Sequence, residues 1–313
     1  MSNGVRLRWA VNCTQWSPTR HEWLAALGCL QGEEVERVGS FVYQKDCKLA
    51  LVGRLLIRAA LTSLLQLRNN EIQLTRSEKG KPLLVRNGTI DNSMGFNISH
   101  QGDYVVLAAQ KGNSGKQVTM DTRTCTQSPP AVGVDVMQLS VPRGASVNEF
   151  FSTMSRQFTS TEWEQIKQPN TQHLANFYRF WCLKESFIKA EGSGLSYGLQ
   201  NLEFHTDPAL PWPPPSHIVS SPPPPSHIDV YESTRLFVKG QLCEEWGFQE
   251  SLIDSQHCVA VAATPTRGPP VSTTPPTSGP PFTKLSISSL LDCLEGMPAT
   301  EELWARFIIK DNH

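Results

Sequence analysis

The apolar positions of this chain fall into runs of two kinds. From Asp46 to Leu65 a stretch rich in Leu, Ala and Arg carries the spacing of a long helix. Tyr104-Val105-Val106-Leu107-Ala108-Ala109, within Phe96–Ala109, is a short continuous apolar run and predicts a buried strand. Around these, Val5–Val11 predicts a strand and Ser17-Pro18-Thr19-Arg20 opens a helix over Glu22–Leu27. Gln31–Gly39 predicts a helix with acids in its first turn, and Glu71–Val85 two extended pieces about Lys79-Gly80-Lys81-Pro82. Further along, Ala131–Met137 predicts a buried strand, Asn148–Lys167 and Asn176–Glu191 predict helices, and Leu199–Phe204, Val230–Val238 and His257–Ala263 predict strands.

Two halves of the chain look alike. Each has a helix leading into a strand (46–65 into 71–75, 176–191 into 199–204), and each ends in a similar strand, Val105–Ala109 or Val259–Ala263. The expected fold is therefore α+β, a pseudo-two-fold duplication of two similar α/β lobes with the active site in the cleft between them. The lobes would be 5–110 and 131–263, joined by a polar linker, 111–130, that closes on Pro129-Pro130. A Pro-rich insertion, 207–228, repeats Pro-Pro-Pro-Ser-His-Ile at 213–218 and 223–228 and reads as an expanded surface loop before a polyproline ligand. Residues 264–313 form a Pro/Ser/Thr-rich linker and a tail whose Leu290, Leu291, Leu303, Trp304, Phe307 and Ile308 suit a short docking helix.

Composition narrows the function classes. The 313 residues carry a net charge of −1, so no global field recruits nucleic acid or an anionic membrane, and an anionic substrate needs a local basic site. The eight cysteines show no pair three residues apart, which speaks against a zinc ribbon, and Cys182 and Cys258 sit in apolar runs as buried thiols. No secretory-type apolar stretch occupies Met1–Val11 and no uninterrupted apolar run is long enough for a membrane span, so the cytosol is expected. Nothing in the pattern requires an oligomer.

Four constellations could carry chemistry, and each has a plain structural alternative. Asp135 lies inside Ala131-Val132-Gly133-Val134-Asp135-Val136-Met137, where a desolvated carboxylate needs a partner or a metal, unless it merely caps the strand end. Glu185 and Lys189 lie four apart on the helix, opposite Phe180, Leu183, Phe187 and Ala190, a spacing shared with ordinary surface pairs. Asn97, Ile98, Ser99, His100 and Gln101, in Phe96–Asp103, read as a loop able to donate hydrogen bonds to an anion. Finally Arg37 and the run Arg76-Ser77-Glu78-Lys79-Gly80-Lys81 put cations and backbone N–H groups on one turn, which suits phosphate or a solvated hairpin, but lacks P-loop spacing.

Together and in this order, these pieces resemble the phosphopantetheinyl transferase family of the two-lobed, surfactin-synthetase-activator type. The family's Gly-Val/Ile-Asp strand is Gly133-Val134-Asp135, and its Trp-x-x-Lys-Glu-x-x-x-Lys helix is Trp181–Lys189. Its Phe-Thr-x-x-Glu-Trp piece is Phe158–Trp163, and the resemblance spans residues 5–263. It implies an enzyme that moves the 4'-phosphopantetheine arm of coenzyme A to a serine of a carrier protein. Implied partners are acyl carrier protein, or carrier domains of multidomain synthases and of aminoadipate-semialdehyde dehydrogenase. By the same resemblance Arg37, Arg76, Ser77, Glu78, Lys79, Gly80, Lys81, Asn97, Ile98, Ser99 and His100 contact coenzyme A. Asp135 and Glu185 would hold Mg²⁺ against the diphosphate, Glu185 or a metal-bound water would act as base, and Lys189 as charge stabiliser. Many relatives carry a second acid two residues after the strand aspartate. Here that position is Met137, so Gln101 or a water must substitute, and Gln101 is the expected ligand. The competing readings are a magnesium-dependent nucleotide phosphohydrolase and an inactive adaptor working through its prolines.

Overall fold

The computed structural model describes residues 5–112, 130–169, 171–192, 194, 198–210, 212–213, 228–264 and 279–311. The chain is an α+β protein. Its first half comprises β1 (Arg6–Asn12), α1 (Arg20–Gly28), α2 (Gly32–Gly39), α3 (Gln44–Leu65), β2 (Gln73–Arg76), β3 (Pro82–Arg86), β4 (Thr89–Ile90), β5 (Met94–Gln101) and β6 (Tyr104–Lys111). The second comprises β7 (Val132–Gln138), α4 (Val147–Thr153), α5 (Ser160–Ile166), α6 (His173–Glu191), β8 (Leu202–His205), β9 (Arg235–Val238), β10 (Gln241–Leu242), β11 (Gly247–Asp254) and β12 (His257–Ala263). A tail adds β13 (Thr283–Lys284), α7 (Ile287–Leu291) and α8 (Glu301–Ile308).

Strand order is β1-β6-β5 in one main sheet and β7-β12-β11 in the other, all antiparallel, with β13 added parallel to the outer edge of β1. Small three-stranded sheets, β2-β3-β4 and β8-β9-β10, complete the strands. The apolar run in β6 is continuous because both of its faces are buried. Val105, Leu107 and Ala109 pack toward α3, while Val106 and Ala108 join Val134, Val136, Val259 and Val261 between the two main sheets. On β12 the same division holds, with Cys258, Ala260 and Ala262 packed among the residues of α6.

The sheets meet at a seam where side chains replace the backbone ladder. Asn97 Oδ1 accepts from Val134 N at 2.9 Å and Gln101 Oε1 from Gln138 N, so β5 holds β7 through every fourth residue. At the other side Arg8 Nε, buried on β1, donates to Gln249 Oε1 on β11 at 3.1 Å.

Several expectations change in detail. The segment 96–101 is strand rather than loop, so its side chains alternate between two environments. The helix expected over 148–167 is two, because Thr159 starts a new helix by accepting from Glu162 N while Glu162 reaches back to Thr159 N. Residues 199–201 form a 3₁₀ turn before β8, and β11 had no predicted counterpart. Most of the expected linkers and of the Pro-rich insertion lies outside the described residues.

Candidate active site

A cleft of about 1100 Å³ opens between the β2–β3 turn, α3, β5 and the C-terminal half of α6. It draws together residues that are far apart in sequence: Arg37, the whole run Arg76–Lys81, Asn97, Ile98, His100, Glu185 and Lys189. Ser99 and Asp135 lie immediately behind, tied to the cleft by Lys189. Its Nζ donates to Asp135 Oδ1 at 2.6 Å and to Ser99 Oγ at 2.9 Å, and Ser99 Oγ donates to the same Oδ1 at 2.8 Å. Asp135 is 5% exposed, and its other oxygen, Oδ2, is buried with no hydrogen-bond partner. A buried carboxylate oxygen left bare is costly, and such a group calls for a cation or a ligand.

Glu185 is half-buried beside this group. Burial first and the Asp135 charge second raise its carboxyl above the ordinary range, with Lys189 pulling the other way. Two carboxylates, one with a bare oxygen, beside an open cleft make a donor set that fits a hard divalent cation. Among the described residues no group of three or more His, Cys, Asp or Glu is arranged to hold a metal, and Met137 stands two residues after Asp135. Gln101, the expected third ligand, has its oxygen engaged by Gln138 N in the seam and does not line the cleft.

The sequence holds α6 close for a definite reason. A Cβ on Gly133 would stand 2.1 Å from Ser186 O and 2.4 Å from Ala190 N, so only glycine lets the helix backbone rest on β7 beside Asp135. The two lysines of the helix signature part company. Lys189 faces the cleft, whereas Lys184 is fully buried, pairing with Glu162 at 2.7 Å and donating to Leu199 O and Leu202 O. Glu162 also accepts from Phe204 N at 3.0 Å. The Phe158–Trp163 piece and Lys184 thus form one buried structural lock among α5, α6 and β8. Sequence reading paired neither residue.

Cations dominate the opposite wall. Lys79 Nζ crosses from the β2–β3 turn to Gly192 O at the end of α6, 2.8 Å away, and Arg76 braces the turn through Gly80 O at 2.7 Å. Gly80 takes φ of +80°, which the turn requires. Burial pushes the Lys81 ammonium down, and Arg76 is lowered by burial and then by the charge of Arg37. His100 is lowered by burial first and by Lys189 second, although the residue as a whole remains exposed. One further cation, Arg54 on α3, lines the cleft and was not picked out in sequence, where it merges with the basic residues of a long helix. Leu49, Ala50, Gly53 and Ile57 of the same helix give the cleft an apolar floor.

Comparisons with known proteins identify the family. A family model described as 4'-phosphopantetheinyl transferase, N-terminal, matches residues 14–112, and one described as the 4'-phosphopantetheinyl transferase superfamily matches residues 131–262. The L-aminoadipate-semialdehyde dehydrogenase-phosphopantetheinyl transferase of Homo sapiens is 42% identical over 262 residues, 82% of this chain and 74% of that one. Its counterpart in Xenopus laevis is 39% identical over 260 residues, 82% of this chain and 75% of that one. A phosphopantetheinyl transferase of Thraustochytrium is 33% identical over 261 residues, 81% of this chain and 77% of that one. The chain belongs to the 4'-phosphopantetheinyl transferase superfamily and is a transferase of that family.

Proposed function

We propose that this enzyme takes the 4'-phosphopantetheine arm from coenzyme A in the cleft, places it on a serine of an acyl carrier protein or carrier domain, and releases adenosine 3',5'-bisphosphate. The observation that carries the site assignment is the bare, buried Asp135 Oδ2 beside Glu185 and Lys189, at the edge of a cation-walled cleft. Arg37, Arg76, Ser77, Glu78, Lys79, Gly80, Lys81, Asn97, Ile98, Ser99 and His100 form the coenzyme A site, with the cations taking the phosphates. Asp135 and Glu185 hold magnesium, which when bound offsets negative charge on the diphosphate. Gln101 acts from the seam, fixing β7 rather than donating to the metal.

The carrier serine attacks the β-phosphorus, the bond to the adenosine bisphosphate oxygen breaks, and the serine proton passes to Glu185. Lys189 holds Asp135 in place and presents positive charge to the developing phosphoryl charge. The repeated strand orders, β1-β6-β5 and β7-β12-β11, with a helix α3 or α6 on each, support a duplicated lobe and a site between lobes. We take the enzyme to act as a monomer in the cytosol. The described cysteines are free thiols, and among the described residues no helix is long and apolar enough to cross a membrane.

The test is incubation with coenzyme A, magnesium and an apo acyl carrier protein, followed by intact-mass analysis. Transfer adds one phosphopantetheinyl group to the carrier and releases an equal amount of adenosine 3',5'-bisphosphate. Phosphate release from coenzyme A with no gain on the carrier would make it a phosphohydrolase instead.

A further inference from the structure

The tail beyond the second family model, which ends at residue 262, is anchored to the far side of one cleft wall. Trp23 of α1 stacks on Phe307 of α8 with ring centroids 3.8 Å apart, and Arg20 pairs with Glu301. A Cβ on Gly28 would stand 2.0 Å from Met297 O, so the tail backbone lies directly against the end of α1. Met297 N donates back to Gly28 O at 2.8 Å. This much is ordinary docking of an amphipathic helix.

The last turn of the tail does something more specific. Lys310 Nζ donates to Gly39 O at 3.1 Å and to Phe41 O at 2.5 Å, gripping the connection between α2 and α3. Gln44 N, the first helical N–H of α3, donates to Asp311 O at 2.9 Å, and no side chain caps that helix. In return Gln44 Nε2 donates to Ile308 O and Lys310 O, satisfying carbonyls at the end of α8. The gripped connection is the part of the cleft wall between Arg37, on the last turn of α2, and Leu49 of α3, and Phe41 itself lines the cleft.

We propose that Lys310 is a positioning residue for the coenzyme A site: the C-terminal tail holds the Arg37–Phe41 wall in its ligand-binding shape. This rests on the assignment of the cleft to coenzyme A. Backbone carbonyls at a helix end and in a short connection have many competing arrangements, and one ammonium bound to two of them selects one. The tail therefore acts on ground-state binding and not on the Asp135–Glu185–Lys189 group, which lies on the other half of the chain.

Lys310→Met and Lys310→Arg variants test this in the full chain. For Lys310→Met the KM for coenzyme A should rise roughly tenfold while kcat at saturation stays near the parent value. Hydrogen exchange of a peptide spanning residues 37–46 should quicken, with no change over α6. Lys310→Arg, able to reach both carbonyls, should recover most of the affinity. Adding Phe41→Ala to Lys310→Met should cost less than Phe41→Ala alone costs the parent, since both act through one wall. Unchanged exchange over 37–46 in Lys310→Met overturns the proposal whatever the cleft binds. So does a KM unaltered by the substitution. If the parent chain bound no coenzyme A, the assignment of the cleft would fall, and the exchange result alone would decide whether Lys310 holds the wall.

Discussion

Asp135 is held so that one oxygen does all the bonding. Oδ1 takes both Ser99 and Lys189 while Oδ2 stays bare in a buried setting, an arrangement that costs folding energy and that the proposed cation would offset. Replacing Asp135 with Asn, or Glu185 with Gln, is therefore expected to lower kcat by about 10² or more while the thermal midpoint stays near the parent value. A folded Glu185→Gln variant with full transfer activity would remove Glu185 from the reaction. His100 makes a second case. Its imidazole is pushed below the ordinary 6.5 by the cleft walls and by Lys189, so it is mostly neutral at pH 7. A phosphate arriving beside it favours the charged form and raises that value, so protons are taken up on binding and affinity increases as pH falls toward the lowered value of the free site. Calorimetry of coenzyme A binding in two buffers of different ionisation enthalpy measures the uptake. Equal heats in both, or the same uptake in His100→Asn, would assign the proton elsewhere.

At the level of elements, α6 shows both how much a sequence discloses and where it stops. The Glu185–Lys189 spacing and the flanking Gly133-Val134-Asp135 strand were legible, because local spacing and one acid in an apolar run survive without a structure. The helical face was not. Read by periodicity, Glu185 and Lys189 point to solvent, but α6 is wrapped by β7, β12 and α5, so the polar stripe is half-buried against Asp135. Lys184 was unreadable for a related reason: its partner Glu162 lies on the preceding helix, α5, and no local pattern distinguishes a buried lysine from an exposed one. Burial pushes Glu162 up and Lys184 down, each partly offset by the other's charge. Glu162→Gln should thus destabilise the fold by about 3–5 kcal/mol, because Lys184 keeps its charge without a counter-ion. Adding Lys184→Met should return part of that loss, which the urea midpoints of the three proteins would show. Gly133→Ala acts on the same helix from the other side. Its methyl must push α6 off β7, at a cost of about 1–3 kcal/mol, and the shift carries Glu185 and Lys189 with it. We expect kcat to fall more than KM rises. A variant as stable and active as the parent would show that the backbone contact is not needed.

Over the whole molecule, the site exists only because two halves and a tail meet. The first half provides Arg37, the Arg76–Lys81 turn and the β5 side chains, and the second provides Asp135, Glu185 and Lys189. The likeness of the strands 105–109 and 259–263 was visible in the sequence. The seam was not, since the segment of Asn97 and Gln101 reads as a loop, whereas β5 is a strand whose side chains also reach β7. Lys79 bridges to Gly192 O across the mouth of the cleft, and Asn97 and Gln101 tie the halves through the seam. Coenzyme A bound between the cationic wall and the Asp135 group adds a second tie. At about 100 times its Kd it should stabilise the native chain by about 2.7 kcal/mol, seen as one cooperative transition moving upward. Arg76→Ala and Lys81→Ala remove cations without touching the seam, so they should leave the apo midpoint almost in place and shrink only the increment from coenzyme A. The increment should also weaken with added salt, because phosphate contacts at an open cleft are screened. Two separate transitions, with coenzyme A shifting just one of them, would mean that the ligand sits on a single half and that the cleft is not shared.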